Sequence, residues 1–328
     1  MHRYLSKLVP IGLAIAFVNA AANECAADPQ GKRIAHMTTR LESYTGALAN
    51  TLAADAKKHG MEVTTFSSPF NPALQAQQMD DAIARKFDMI ILVAVSATAI
   101  VPAATRAHEA GIPIIVLIVP PKTGTENLYL SYIGEDQRAL GRIVGKSVVT
   151  AFKDNGRDGG KVAAITGSLQ DGIGPLRLEG FKQELAANPK IELAAIEDVA
   201  WDPVKSQTVA SQLFARFAAQ GGLSAMYGMN DAQALAIAQA ATAAGLTVGS
   251  GPKDILIVGG NCTPQTPDAI RSGRLYSSAS QIPTFLGDRA VAVAAAYFSG
   301  QTVEKTNYIP VEVINKSNID KWTGPCSY

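Results

Sequence analysis

Gly60, Gly111 and Gly245 each follow an alanine-rich helical run and precede an apolar residue. Glycine at that place supplies the left-handed conformation that stops a helix and turns the chain into the next strand. The flanking segments alternate to match. Arg33 to Thr38 reads as a strand, and Tyr44 to His59 as a helix with Leu48, Leu52 and Ala56 on one face. Glu62 to Phe66 is the next strand, and a helix opens at Pro72, whose fixed φ suits a first helical turn. Met89 to Val93 and Ile114 to Ile118 are continuously apolar, as strands buried on both faces of a parallel sheet are. Helix, glycine and strand recurring in this way imply βαβ crossovers and a doubly wound sheet.

A second series begins at Lys161 to Ile165 and runs through a helix ending at Leu185. It continues with a strand near Ile191 to Val199, a helix from Val204 to Ala219, the strand Ala225 to Tyr227, a helix from Ala232 to Ala244 and the strand Ile255 to Val258. That is too many parallel strands for one small sheet. The expected fold is α/β, with two doubly wound parallel-sheet lobes joined by short crossings.

The 328 residues carry a formal net charge of +1, with acids and bases interspersed, and nothing resembles the basic stripe of a nucleic-acid binder. Only the start departs from this. Arg3 and Lys7 precede an apolar run from Leu8 to Val18 and then Asn19-Ala20-Ala21-Ala22, the pattern of an export signal. Eleven apolar residues cover about 16 Å at helical rise, short of a ~30 Å hydrocarbon core. Residues 1–27 are therefore read as a signal peptide cleaved between 20 and 27. Cys25 lies within it, after a poor lipobox. Cys25, Cys262 and Cys326 lack zinc-site spacing. In an oxidising compartment a bridge between Cys262 and Cys326 is one reading, and two free thiols the other.

The ordered motifs of the chain resemble the type I periplasmic binding proteins for ribose, galactose and related sugars. They are Arg33-Ile34-Ala35, Ala110-Gly111-Ile112-Pro113, Gly134-Glu135-Asp136 before a helix with Gly141 and Gly145, Arg177-Leu178-Glu179-Gly180-Phe181, Met229-Asn230-Asp231-Ala232, Ile257-Val258-Gly259 and Ser280-Gln281-Ile282-Pro283. The likeness runs from Lys32 to about Lys316. Sugar-responsive repressors of the same family carry an N-terminal helix-turn-helix, where this chain has an export signal. The resemblance implies an N-terminal lobe of residues 28–132 plus 283–309 and a C-terminal lobe of 133–282 plus 310–328. It places hinges near Tyr132–Gly134, Gln281–Pro283 and Ile309–Val311. It implies a small sugar or polyol as ligand, an ABC permease as partner, a monomer in the periplasm, and no cofactor or metal.

Open α/β sheets bind ligands beyond the carboxyl ends of their strands. On the resemblance, the ligand-binding residues are Glu42, Tyr44, Ile118, Arg177, Trp201, Asn230, Asn261 and Gln281, with Tyr44 and Trp201 as aromatic platforms and Asp231 capping the helix after Asn230. The family's Asp-Arg pair after the fourth strand is here Ile118-Val119. Its asparagine after the third strand is Val93, and the first of its two arginines is Pro175. Several sugar-hydroxyl partners are thus missing on the N-terminal side. A hydroxyl buried against Ile118 without a partner costs about 1–3 kcal/mol, so the expected ligand is a short polyol, a deoxy sugar or a non-sugar.

An enzyme is the rival class. Gly167-Ser168-Leu169-Gln170-Asp171-Gly172 lacks the dinucleotide-binding spacing, and Gly172-Ile173-Gly174 reads as a loop near the cleft. His36, His59 and His108 are scattered, and none is placed to activate a Cys262 thiol. Ligand sensing for a chemoreceptor or sensor kinase is the alternative to transport.

Overall fold

The computed structural model describes residues 28–328, so the expected export signal, with Cys25, lies outside the described residues. Two six-stranded sheets form the molecule. The first has β1 (Arg33–Thr38), β2 (Glu62–Ser67), β3 (Met89–Leu92), β4 (Ile114–Leu117), β5 (Ser131–Gly134) and a late strand, β11 (Thr306–Tyr308). Its order is β11-β5-β4-β3-β1-β2, parallel throughout. The second has β6 (Gly160–Thr166), β7 (Ile191–Asp198), β8 (Ala225–Gly228), β9 (Leu256–Val258), β10 (Ser277–Ala279) and β12 (Val313–Asn315). Its order is β12-β10-β9-β8-β6-β7, with only β12 antiparallel to its neighbour.

The helices follow the apolar faces the sequence lays out. Helix α1 (Ser43–Lys58) buries Leu48, Leu52 and Ala56, and Gly60, Gly111 and Gly245 take φ of +72°, +75° and +75° at their helix ends. The apolar strands β3 and β4 are buried along their length. Strand β4 stops at Leu117 rather than Ile118, because Ile118 adopts φ +64° and turns the chain away from the sheet.

The chain passes between the sheets three times. Tyr132–Gly134, expected as the first hinge, is strand β5 instead: it pairs with both β4 and β11, so its backbone groups are satisfied inside the first sheet. The crossing follows at residues 135–136, leading to α4 (Gln137–Asp154). The second crossing, 280–282, leads to α9 (Pro283–Phe298), which packs on α1, and the third joins β11 to β12.

Helices α4 and α5 (Gly174–Ala186) pack with their backbones in close approach. Gly141 and Gly180 permit this, since a Cβ at either would lie 2.0 Å from a carbonyl oxygen of the partner helix, that of Arg177 or Arg138. This contact holds Arg177 at the carboxyl ends of the second sheet.

Candidate functional site

A cavity of about 700 Å³ lies between the lobes, in the range of small-molecule sites. Every wall comes from segments that follow the carboxyl ends of strands, where a doubly wound sheet leaves its crevice. The first lobe supplies Thr39 to Tyr44 after β1, Val93 to Ser96 after β3, and Ile118 and Val119 after β4. The second supplies Ser168 to Ile173 after β6, Val199 to Asp202 after β7, Asn230 after β8 and Asn261 after β9. Gln281 lines it from the second crossing. The eight residues singled out in the sequence, Glu42, Tyr44, Ile118, Arg177, Trp201, Asn230, Asn261 and Gln281, all line this one cavity.

Arg177 organises the floor. It is 2 % exposed. Its Nε donates to Gln137 Oε1 at 2.7 Å, one Nη to the Met229 carbonyl at 3.1 Å and the other to Gln281 Oε1 at 2.8 Å. Of the five guanidinium hydrogens, two are left for other partners. Gln281 in turn donates from Nε2 to Glu135 Oε2 at 2.7 Å. Glu135 is fully buried in the first crossing, and burial raises its pKa, opposed by the Gln281 hydrogen bond and by the Arg177 charge. Two crossings and the second lobe's ligand wall therefore share one hydrogen-bonded chain.

Trp201 stands on a strained turn. Ala200 and Trp201 have φ of +51° and +67°, a conformation that costs a non-glycine residue about 1–3 kcal/mol and concentrates at functional sites. The ring lies 5.6 Å from the Arg177 guanidinium. It covers Gly167, where a Cβ would sit 2.0 Å from indole Cε2. Its Nε1 donates to Asp171 Oδ2 at 2.7 Å. Asp171 also accepts from the Ile173 and Gly174 amides at 2.8 Å each, and burial raises its pKa.

Asn230, not Asp231, caps helix α7 (Asp231–Ala243): its Oδ1 accepts from the Gln233 amide at 2.8 Å. Asp231 is fully buried one residue on, accepting from Ser278 Oγ at 2.7 Å, from Thr266 Oγ1 and from the Thr263 amide. The capping role expected of Asp231 falls to Asn230, which keeps the extended backbone a cap needs and still lines the cavity. Its amide Nδ2 is left for the cleft.

Asn261 has φ +103° and Cys262 +52°. Cys262 is joined to Cys326 by a disulfide with Cα atoms 5.3 Å apart. Asn261 Oδ1 and the Tyr44 hydroxyl are buried polar atoms without protein partners, and buried polar atoms of that kind call for one. In the same lining, Val93, Ile118 and Val119 are 3 %, 6 % and 4 % exposed and present no side-chain polar atom.

Sequence reasoning missed Asp171, Gln170, Ser168 and the rim residue Phe70, all in the lining. The one available signal was Asp171 before Gly172-Ile173-Gly174, an acid able to cap the backbone of a tight turn. Among the described residues, no cluster of His, Cys, Asp and Glu is placed to hold a metal ion, and no helix is long and apolar enough to cross a membrane.

Two wound lobes closing polar and aromatic groups over one cavity define a solute-binding protein. The family model described as "Periplasmic binding protein domain" matches residues 34–302, and the chain belongs to that family. It is 26 % identical to the ribose import binding protein of Escherichia coli (strain K12), over 95 % of this chain and 99 % of the relative. A solute-binding protein of an ABC transporter from Agrobacterium vitis, solved with α-D-tagatopyranose bound, is 28 % identical, covering 88 % of this chain and 96 % of that one with a TM-score of 0.77. A galactofuranose binding protein shares the fold at 19 % identity, with a TM-score of 0.83 over 90 % of this chain and 100 % of its own.

Proposed function

We propose that the chain is an exported, monomeric binding protein that captures one small sugar or polyol in the interlobe cavity and delivers it to an ABC permease. The observation that carries this reading is the asymmetry of the cavity. Arg177, Asn230, Asn261 and Gln281 offer donors and acceptors from one side, Tyr44 and Trp201 offer ring faces, and Val93, Ile118 and Val119 offer only hydrocarbon. Glu42, at the rim and paired with Arg40, contributes charge rather than a buried contact. A ligand suited to both walls has hydroxyls along one edge and C–H surface along the other, as a deoxy sugar or a short polyol has. Residues 1–27 serve as the leader that takes the chain to the periplasm.

The ligand touches both lobes only when they are closed, so its binding energy shifts the hinge equilibrium toward closure. The lobes move as 28–134 plus 283–309 against 135–282 plus 310–328, the first boundary lying at the end of β5 rather than at 132.

Calorimetric titration of the purified protein with D-ribose, D-tagatose, D-galactose, D-glucose, L-fucose, L-rhamnose and erythritol tests the reading. L-Fucose, L-rhamnose or erythritol is expected to bind more tightly than D-glucose and D-galactose, with a smaller radius of gyration at saturation. Tightest binding to D-glucose or D-galactose would refute the ligand class. No compaction at saturation would refute the closure mechanism.

A further inference from the structure

The segment after α10 (Ile319–Trp322) reaches from the second lobe to the first. Ile319, Trp322 and Cys326 belong to the second lobe's core, and Cys326 is fully buried. Its disulfide partner Cys262 directly follows the cavity residue Asn261. Two residues beyond the bridge, the ring of Tyr328 meets the ring of Tyr44 edge to face, with centroids 6.4 Å apart and planes at 87°. Tyr44 is at the start of α1 in the first lobe and lines the cavity. The Tyr44 hydroxyl is buried without a protein partner and the Tyr328 hydroxyl faces Ser43, so the contact is one of rings and not of a hydrogen bond between them.

We propose that Tyr328 is a positioning residue for the ligand site. Tethered by the Cys262–Cys326 bridge beside Asn261, it crosses the gap between the lobes and holds Tyr44 against the cavity. The bridge thus joins a cavity loop of the second lobe to an aromatic wall of the first through three residues, Cys326–Tyr328. An edge-to-face pair forms only when the lobes are together, so it adds to the closed state and slows its opening. This rests on the reading of the cavity as the ligand site. It also adds to that reading, because it places a closure contact outside the cavity lining itself.

The test uses the full chain with Tyr328→Ala, Tyr328→Phe, Tyr44→Ala and the Tyr328→Ala/Tyr44→Ala pair. Dissociation rates are measured for whichever member of the seven-compound panel the wild type binds, and amide exchange is followed in the first turn of α1. Tyr328→Ala is expected to raise the dissociation rate about five-fold, the size an aromatic edge contact supplies. It should also speed exchange at the first turn of α1. Tyr328→Phe should stay within about two-fold of wild type, since the ring contact is kept and no hydrogen bond to Tyr44 is lost. The double variant should match Tyr44→Ala alone, because without Tyr44 there is nothing for Tyr328 to hold.

Additive effects of the two alanines, or wild-type dissociation together with wild-type exchange in Tyr328→Ala, would overturn the proposal. If the wild type binds no panel member, the ligand reading fails by itself. The exchange of α1 then decides the Tyr328 contact alone: faster exchange supports it and unchanged exchange overturns it. Cys262→Ser/Cys326→Ser should reproduce the Tyr328→Ala exchange, and protected α1 amides in that variant would also count against the tether.

Discussion

The two walls of the cavity come from lobes of nearly the same build, yet the segments that follow their central strands differ in chemistry. The first lobe's strands β3 and β4 end in Val93 and in Ile118-Val119, which give the cavity hydrocarbon. The second lobe's strands end in Asn230 and Asn261, with Arg177 braced behind them by Gln137, Met229 and Gln281. The same sheet order places both sets at carboxyl ends. The difference therefore shows how far a fold determines where a ligand sits and how little it determines which ligand. It also makes the second lobe the more costly to disturb, since Arg177 and its partners Gln137, Met229 and Gln281 are bonded to one another and buried.

The largest break in this contrast should come from Arg177→Met. The substitution strands Gln137 Oε1, Gln281 Oε1 and the Met229 carbonyl and takes the neighbouring positive charge from Glu135. A stability loss of about 3–5 kcal/mol is expected from buried groups left unpaired, along with an affinity loss above about 100-fold. Denaturant titration and calorimetry measure the two, and loss of affinity with unchanged stability would show that the bracing is not structural. Removing the disulfide, as Cys262→Ser/Cys326→Ser, opens a link spanning 64 residues. The expected cost is about 2–4 kcal/mol, read as an earlier denaturant midpoint. The first lobe has no counterpart of this link among the described residues.

The apolar wall offers the converse change. Ile118 is a β-branched residue at φ +64°, where asparagine is much better tolerated. Ile118→Asn gives up buried hydrocarbon but relieves about 1–3 kcal/mol of backbone strain, so stability should change little. Its amide would meet a hydroxyl that isoleucine leaves bare. Affinity for D-galactose should rise about ten-fold. An unchanged or weaker affinity would mean that the first wall does not face ligand hydroxyls.

The contrast was partly legible in the sequence. The continuous apolar strands β3 and β4, and the glycines at helix ends, gave the layering, because burial on both faces and left-handed backbone leave few other residue choices. Val93 and Ile118-Val119 could be read as an apolar wall only through the resemblance, which sets them where the family carries polar residues. The short strands β10, β11 and β12 could not, since Ser277-Ser278-Ala279 and Thr306-Asn307-Tyr308 carry no apolar run; sheet neighbours hold them in place. Asp171 was hidden for a related reason: what makes it part of the site is the Trp201 indole, 30 residues away, delivered by a turn at positive φ that no local propensity announces. The burial of Asp231, which leaves the cap to Asn230, likewise depends on Ser278 and Thr266 from other elements.

The smallest overall effect, and the sharpest comparison of the lobes, concerns pH. His36 on β1 is fully buried, and burial lowers its pKa from 6.5 to about 4. As pH falls from 6.5 toward 4, the unfolded chain takes up this proton before the folded chain does, so the first lobe loses stability. Burial raises Asp231 in the second lobe from 3.8 to about 6. Between pH 6 and 4 the folded chain takes up that proton first, so the second lobe gains stability. Asp171 and Glu135 are raised as well and act in the same sense. On the first lobe's surface Asp288 is raised and its neighbour Asp55 lowered, and their contributions oppose each other. For the fully buried His36 and Asp231, shifts of about two units correspond to roughly 3 kcal/mol apiece when complete. Opposed, they leave the global midpoint almost unmoved between pH 7 and 5. Amide exchange resolves them, with intrinsic rates corrected: β1 should lose protection at pH 5 while α7 holds or gains it. His36→Gln should abolish the first change and Asp231→Asn the second. If β1 and α7 shift together in the wild type, the lobes open as one unit, and the contrast between their buried groups has no consequence for how the protein comes apart.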